Sequence, residues 1–467
     1  MENPSKLRSD LDVLIMAAGL GTRMRSSRAK VLHPLDGRPL INHVVEAALK
    51  LDPNSICIIV GHQADDVKAA VNAEFADARV CFAIQEKQLG TGDAIKATQT
   101  LYGEKNTTIL VLTGDVPLIG IETMAGLVDQ HEREHVSATV LTVNLDDPTG
   151  YGRVIRNKNG EFERIVEQKD ASESEQAVCE INAGFYCFSS KNLYQALGEL
   201  KNDNAQGEYY LTDVPGLLGS QGEQVGIHVA AHSHEVEGVN DRQQLATLEK
   251  TLRESTIRRL MLDSGVSFVD PSTAYVSARA VIGRDTVICQ NVTIEGKTVV
   301  GERCTIRPGS RIVDSLIDDD VEIRDNCFIT NSTVGSGCTV GPMAHLRGKA
   351  VMEEGSKVGN FVELKKTRLG RGSKASHLTY LGDAIIGEET NIGAGTITCN
   401  YDGKNKHETH IGNNVKIGSD TMLVAPITIG DGASTGAGSV VTKDVESEQL
   451  VVGVPAQVKS KSHRNAE

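Results

Sequence analysis

VIGRDTVICQNVTIEGKTVVGERCTIRPGSRIV, residues 281–313, places an aliphatic side chain at every sixth position: Ile282, Ile288, Ile294, Val300, Ile306 and Ile312. An α-helix repeats every 3.6 residues and a half-buried strand every two, so neither explains an interval of six. A chain wound into a triangular coil does. Each side of the triangle carries one short strand with one inward aliphatic residue. Three hexads close a turn, and stacked turns bury a continuous core. The period slips by one residue near Leu316 and resumes at Ile323 and Ile329, then runs through Val334, Val340, Leu346, Met352, Val358 and Leu364. It returns at Ile411, Ile417, Leu423 and Ile429, with glycines often beside the aliphatic position. About ten turns fit. The slips at 365–380 and 398–410 are where loops are expected to leave the coil and where function concentrates.

This pattern resembles the left-handed parallel β-helix of hexapeptide repeats, a fold that also serves as a mere trimerisation platform. It begins near residue 266. Upstream, to about residue 240, short apolar runs at 13–17, 56–60, 80–84, 108–112 and 137–143 alternate with helical patterns at 40–49, 64–73 and 94–101. That βαβ alternation predicts an α/β doubly wound, Rossmann-like sheet with ligands at the carboxyl ends of its strands. Residues 241–265 read as one linker helix, with Leu245, Leu248, Leu252, Ile257 and Leu260 roughly on one side. The expected division is 1–240, 241–265, 266–457 and a basic tail at 458–467.

Composition narrows the function. A chain of 467 residues holds two or three domains. A formal charge of −14, 4% aromatic residues and no Trp argue against a nucleic-acid groove or an anionic membrane surface. Nine cysteines, spread singly with no C-x-x-C pair, fit reduced cytosolic thiols rather than a disulfide framework. The polar start MENPSKLRSD has no signal-peptide apolar region, and no apolar run approaches the roughly 18 residues of a membrane helix. The expectation is a soluble cytoplasmic protein.

LIMAAGLGTRMRSSRAK, residues 14–30, is the first stretch that carries chemistry. Leu14, Ile15 and Met16 suit an interior parallel strand, and Ala17, Ala18, Gly19 and Gly21 remove bulk where it ends. A backbone with little bulk lets a phosphate approach its N–H groups. Arg23 and Lys30 supply the positive charge that a triphosphate needs. Neither common phosphate-loop pattern fits, because Met24 stands where a third glycine belongs and no G-x-x-x-x-G-K-[ST] occurs. In LTGDVP, residues 112–117, Asp115 ends a strand with a carboxylate placed to hold Mg²⁺.

The loop resembles the A-A-G-x-G-T-R signature, with a downstream P-K, of sugar-1-phosphate nucleotidylyltransferases; Ala29 replaces the proline. The resemblance implies that Asp115 shares the metal with Asn240 of VEGVN. It implies that Gln85 and the loop QLGTG, with Gly90 and Thr91, read uracil, and that Gly152, Glu167 and Asn182 hold the sugar. Met16, Ala17, Ala18, Gly19, Thr113 and Gly114 would line the nucleotide. Asp93 stands where a histidine is common and is expected not to touch the base. In the implied reaction a sugar phosphate oxygen attacks the α-phosphorus of UTP and expels pyrophosphate. Mg²⁺, Lys30, Arg23 and backbone amides neutralise the growing charge.

A second set, Arg347, Lys365, His377, Tyr380 and Asn391, falls in the coil region, whose core needs none of them. With SHLTYLGD (376–383), NIGAG (391–395) and TCNYDG (398–403), nearly the whole chain is similar to the bacterial bifunctional N-acetylglucosamine-1-phosphate uridylyltransferase/glucosamine-1-phosphate acetyltransferase family. That family makes UDP-N-acetylglucosamine, a precursor of peptidoglycan and lipopolysaccharide. The resemblance implies His377 as general base for attack of the sugar amine on acetyl-CoA, a task suited to an imidazole. Arg347 and Lys365 would clamp the sugar 1-phosphate, and Tyr380 and Asn391 would orient the ring. Ala394, Asn400, Tyr401, Ser419 and Ala437 would meet acetyl-CoA, Asn400 as a donor to the thioester oxyanion. A homotrimer is implied, with Tyr380, Asn391 and Asn400 serving a site completed by neighbouring chains. The chain departs from the family at His345 (usually arginine), at Gly348 (usually proline) and at VGVP (452–455), which lacks a coenzyme-contacting arginine. Lys459, Lys461 or Arg464 are the available substitutes.

Several motifs read as decoys. HEREH (131–135) matches H-E-x-x-H but is charged throughout, and a solvated helix end is expected there rather than zinc. His407 and His410, and His232 and His234, are treated alike. N-x-T matches at Asn106, Asn291 and Asn331 mean nothing without secretion. Two rival functions stay open on sequence alone: a one-site nucleotidylyltransferase whose β-helix only assembles subunits or binds an effector, and a scaffold beside a degenerate first domain.

Overall fold

The computed structural model describes residues 8–19 and 21–459. Lys461 and Arg464, with most of the expected tail, lie outside the described residues. The chain forms two compact units, Met1–Glu249 and Lys250–Glu467, and the division falls inside the helix Arg242–Leu262.

In the first unit the main sheet runs in the order Val225–Val229, Ala138–Asn144, Glu180–Ser189, Thr108–Thr113, Arg8–Ala17, Pro53–Val60 and Val80–Ile84. Arg8–Ala17 is central and parallel to both of its neighbours. Glu180–Ser189 runs antiparallel between two strands, so the sheet is mixed. Burial on both faces explains the near-continuous apolar runs. Val13 and Ile15 enter one core while Leu14 enters the other, and Ile56, Ile58 and Val60 alternate with Cys57 and Ile59 in the same way. Helices Leu40–Leu49 and Ala64–Asn72 form where the 3.6-residue pattern places them. The stretch 94–101 does not form one helix. It splits into Thr91–Lys96 and Gln99–Tyr102 because buried Thr98 bonds back to Ile95 O and to Tyr194 Oη, both at 2.6 Å.

In the second unit the period-six aliphatics form three parallel ladders. Ile288 pairs with Ile306, then Ile323, Val340, Val358, Ala375, Ile392 and Ile417 along one face. Ile282, Val300, Ile317, Val334, Met352, Leu369, Ile386, Ile411 and Ile429 form another, a nine-stranded sheet. All of these are buried in one continuous core, where each aliphatic side chain contributes about 2 kcal/mol by leaving water. The helix Arg242–Leu262 adds Ile257 and Leu260 to that core. Leu248 is buried as well, whereas Leu245 and Leu252 are half-buried.

The slip at 365–380 is not a loop. Lys357–Lys365 and Lys374–Gly382 are nine-residue strands that stay paired around a corner of the coil, from Lys357 with Lys374 to Lys365 with Gly382. A one-residue shortening shifts the count without breaking the ladder. The second slip does leave the coil: Tyr401–Lys406 closes an isolated bridge between Ile397–Cys399 and Thr409–Ile411. No described helix is long and apolar enough to cross a membrane.

Two candidate active sites

The glycine-rich loop leaves the carboxyl end of the central strand. Gly21 takes φ +60, and a Cβ there would lie 2.6 Å from Lys30 Cβ, so only glycine allows the turn and the close approach together. Short 3₁₀ turns at Thr22–Met24 and Lys30–Leu32 carry the two cations. Asp115 follows the adjacent strand, and Val239 N donates to Asp115 O at 2.9 Å, which brings Asn240 alongside. The four residues then meet. Lys30 Nζ donates to Asp115 Oδ2 and, at 3.3 Å, to Asn240 Oδ1, while Arg23 Nη2 donates to the same Asn240 oxygen at 2.8 Å.

Around this cluster the other expected nucleotide and sugar positions fall into two groups. Gly114 N donates to Met16 O at 2.9 Å, tying the two strand ends together, and the buried Thr113 hydroxyl has no partner among the described residues. In the loop expected to read the base, Gly90 takes φ +115, and a Cβ there would lie 2.5 Å from Tyr209 O. Gly92 N and Tyr209 N bond across to Tyr209 O and Leu89 O, and Thr91 Oγ1 accepts from Leu211 N at 2.9 Å. The segment Tyr209–Leu211 therefore clamps the loop, a part that sequence reading did not single out. Gln85 is buried, and its Nε2 donates to Gly90 O at 3.1 Å and to Asp93 Oδ2 at 2.8 Å.

The residues expected to hold the sugar also converge. Asn182 N donates to Gly152 O at 2.9 Å, and Glu167 lies beside Gly152. Burial raises the Glu167 carboxyl above its usual range, partly offset by the Thr212 hydroxyl at 3.2 Å. Asn182 is set by Tyr186 Oη at 2.7 Å and by Gly184 N at 3.1 Å. Nearby, Tyr151, Glu237, Gly238 and Asp241 line a cavity of about 520 Å³.

In the second unit one corner of the coil collects a column of expected residues. His377 pairs with Asn360, and its Nδ1 lies 2.6 Å from Asn360 Oδ1. Leu378 O accepts from Gly395 N, Ala394 O from Asp420 N at 2.7 Å, and Ser419 O from Gly438 N at 2.8 Å. His377, Ala394, Ser419 and Ala437 thus climb the same corner on successive turns. On the next face Arg347, Lys365 and Gly382 share a rung. Arg347 Nε donates to Glu363 Oε1 at 2.6 Å, and buried Lys365 Nζ to Asp383 Oδ2 at 3.0 Å. Asn400 Nδ2 also donates to Asp383 Oδ2, at 2.5 Å. Burial pushes the Asp383 carboxyl up, but the bonds from Lys365 and Asn400 outweigh it and hold the group below the usual range. Tyr380 pairs with Glu363 on that face. Asn391 does not join it. It is exposed on the other side of the corner, paired with Lys374 and Lys416. Tyr401 is 60% exposed on the excursion, its hydroxyl bonded to Gly403 O at 2.7 Å. Asn360, Glu363 and Asp383 are not among the expected residues; the partner of Lys365 is set by pairing between turns and is not marked in the sequence.

The H-E-x-x-H segment differs from expectation. His131 is buried in the helix Ile121–Glu134 and bonded to Thr139 Oγ1 at 3.0 Å, while His135 lies past the helix end at φ +51. It is a core histidine rather than a solvated one. Burial lowers it to about 4. Among the described residues no group of three or more His, Cys, Asp or Glu side chains could hold a metal. His407 Nε2 bonds Asp402 Oδ2 at 2.7 Å, His410 Nε2 lies 3.3 Å from Glu408 Oε2, and the rings of His232 and His234 stack at 5.5 Å.

Comparison with known proteins agrees with both halves. Residues 12–231 match the nucleotidyl transferase family model, residues 265–364 the EIF2B subunit epsilon LbH domain and residues 408–443 the bacterial transferase hexapeptide (six repeats). The chain is 46% identical over 450 residues to the "Bifunctional protein GlmU" of Geobacillus sp. (strain WCH70), covering 96% of each chain. It is 46% identical to that of Shouchella clausii (strain KSM-K16), over 95% of this chain and 96% of the relative. The protein of Syntrophomonas wolfei subsp. wolfei (strain DSM 2245B / Goettingen) is 45% identical, over 95% of this chain and 97% of the relative. With its mixed α/β sheet and its left-handed β-helix of hexapeptide repeats, the chain belongs to the bifunctional GlmU family, transferases that join a nucleotidyltransferase to an acetyltransferase in UDP-N-acetylglucosamine synthesis.

Proposed function

We propose that the first unit carries uridylyl transfer from UTP to N-acetylglucosamine 1-phosphate, and that the second carries acetyl transfer from acetyl-CoA to glucosamine 1-phosphate. The meeting of Arg23, Lys30, Asp115 and Asn240 supports the first assignment. Lys30 Nζ already rests between a carboxylate and an amide oxygen, so these two hard oxygen donors would suit a Mg²⁺ ion. Bound there by Asp115 and Asn240, Mg²⁺ would neutralise phosphate charge. Lys30, freed from Asp115, and Arg23 pair with the triphosphate. The backbone of Met16, Ala17, Ala18 and Gly19 leaves room for it, and Thr113 and Gly114 close the strand end beneath. Gln85, Gly90 and Thr91 take the uracil, and Gly152, Glu167 and Asn182 the sugar. The chain supplies alignment and charge; no side chain need become a nucleophile.

In the second unit His377 Nδ1–H donates to Asn360, which leaves Nε2 to accept the proton of the sugar amine as it attacks the thioester. The corner column of Ala394, Ser419 and Ala437 offers small side chains along which acetyl-CoA lies, with Asn400 and Tyr401 at its acyl end. Arg347 and Lys365 hold the sugar phosphate. Because Asn391 sits across the corner from Tyr380, a homotrimer is the reading in which a neighbouring chain completes the site. Lys459 is the described cation nearest the VGVP turn in sequence that could replace the absent arginine.

The test is mass spectrometry of products from glucosamine 1-phosphate, acetyl-CoA, UTP and Mg²⁺. Both an N-acetylated sugar phosphate and a UDP-sugar are expected. A UDP-sugar formed only when N-acetylglucosamine 1-phosphate is supplied would leave the β-helix without chemistry.

A further inference from the structure

A buried primary amide near a base reads that base only if its two ends cannot exchange. The Gln85 oxygen accepts, its nitrogen donates, and the two differ by a simple flip. Here the flip is blocked. Gln85 is 5% exposed, and both hydrogens of its Nε2 are used, one on Gly90 O at 3.1 Å and one on Asp93 Oδ2 at 2.8 Å. A carboxylate accepts only, so it holds the nitrogen end toward itself. The oxygen end is left with no donor among the described residues.

We propose that Asp93 is a positioning residue for base selection: by fixing the Gln85 amide it presents Oε1 to the nucleobase and selects a pyrimidine protonated at N3. This rests on the reading of the first unit as the UTP site. Uracil donates N3–H and satisfies Oε1. Cytosine carries a lone pair at N3, so two acceptors would face each other in a buried place, and neither would find a hydrogen. A site built around such a bond rejects the mismatched base strongly. Asp93 never touches the base in this account. It lies in the first turn of the short helix Thr91–Lys96, so a plain helix-end charge is the competing role.

The two roles separate by substitution. Pyrophosphate release is measured with UTP and with CTP at saturating N-acetylglucosamine 1-phosphate, for the native enzyme, Asp93→Asn, Asp93→Leu and Asp93→Ala. Asn keeps an acceptor but drops the charge, and it should hold the UTP:CTP ratio of kcat/KM within about threefold. Leu and Ala remove one of the two acceptors that fix the amide, leaving Gly90 O alone, and should lower that ratio at least about tenfold, through KM, with kcat on UTP within about twofold. Melting temperature reports that each variant is folded, and acetyl transfer that its second unit is intact. Folded Leu or Ala variants that keep the native ratio overturn the proposal, and so does an Asn variant that loses discrimination. A native enzyme releasing no pyrophosphate from UTP overturns the reading of the site itself, whatever Asp93 does.

Discussion

Asn360 Oδ1 lies 2.6 Å from His377 Nδ1, on paired strands that run around a corner of the β-helix. An amide oxygen accepts, so the imidazole proton is held at Nδ1 and Nε2 keeps its lone pair. In the acetyl transfer proposed for this unit, the amide would act on the tautomer rather than on substrate. Asn360→Ala should lower kcat for acetyl transfer about ten- to a hundredfold with little change in KM, and leave uridylyl transfer intact. Equal losses in both activities would mean that the β-helix has lost its fold instead.

The charged cluster of the first unit gives a complementary expectation. Asp115→Ala removes one of the two oxygen donors and frees Lys30, and should reduce uridylyl transfer at least about a hundredfold. Acetyl transfer should stay within about twofold, because Asp115 belongs to the other unit. Paired assays on one preparation check this.

Gly90 offers a test of the backbone of the loop proposed to take the base. At φ +115, with Tyr209 O only 2.5 Å from the place of a Cβ, alanine must displace the clamp between Leu89 and Tyr209. Gly90→Ala should destabilise the first unit by about 1–3 kcal/mol and raise KM for UTP more than it lowers kcat. Urea unfolding and steady-state kinetics read the two effects.

His131 predicts a pH dependence. It is buried and neutral when folded, at about 4 against an ordinary 6.5. Between those values the unfolded chain binds a proton that the folded one refuses. Its stabilising effect is therefore complete above pH 6.5 and falls away as pH drops toward 4, by up to about 3 kcal/mol. His131→Gln should flatten that part of the urea-denaturation profile between pH 7 and 4.5. An unchanged slope would assign the acid loss to other groups.

How far the sequence carries follows from physics that is local or not. The hexad aliphatics announce the coil because each inward position has the same environment, and the register Ile288–Ile306–Ile323 repeats it. The buried strand around Leu14 and the loop to Lys30 are legible for the same reason. What escaped depends on partners distant in the chain. Nothing near Thr98 announces that Tyr194 will interrupt its helix. The motif HEREH looked solvated because its glutamates and arginine are, yet His131 faces inward against Thr139. The nine-residue strands across 365–380 read as a loop because a shortened turn resembles a lost period. The sequence implies only that Asp93 does not touch the base, and its bond to Gln85 appears only in three dimensions.

Two chemistries, one in each unit of a single chain, separate in one experiment: mass spectrometry of products from glucosamine 1-phosphate, acetyl-CoA, UTP and Mg²⁺, comparing the native enzyme with His377→Ala and Asp115→Ala. The native enzyme should yield UDP-N-acetylglucosamine. Asp115→Ala should accumulate N-acetylglucosamine 1-phosphate, and His377→Ala should make UDP-sugar only when given that intermediate. UDP-N-acetylglucosamine formed from glucosamine 1-phosphate by His377→Ala, or the loss of both activities in either folded variant, would contradict the account.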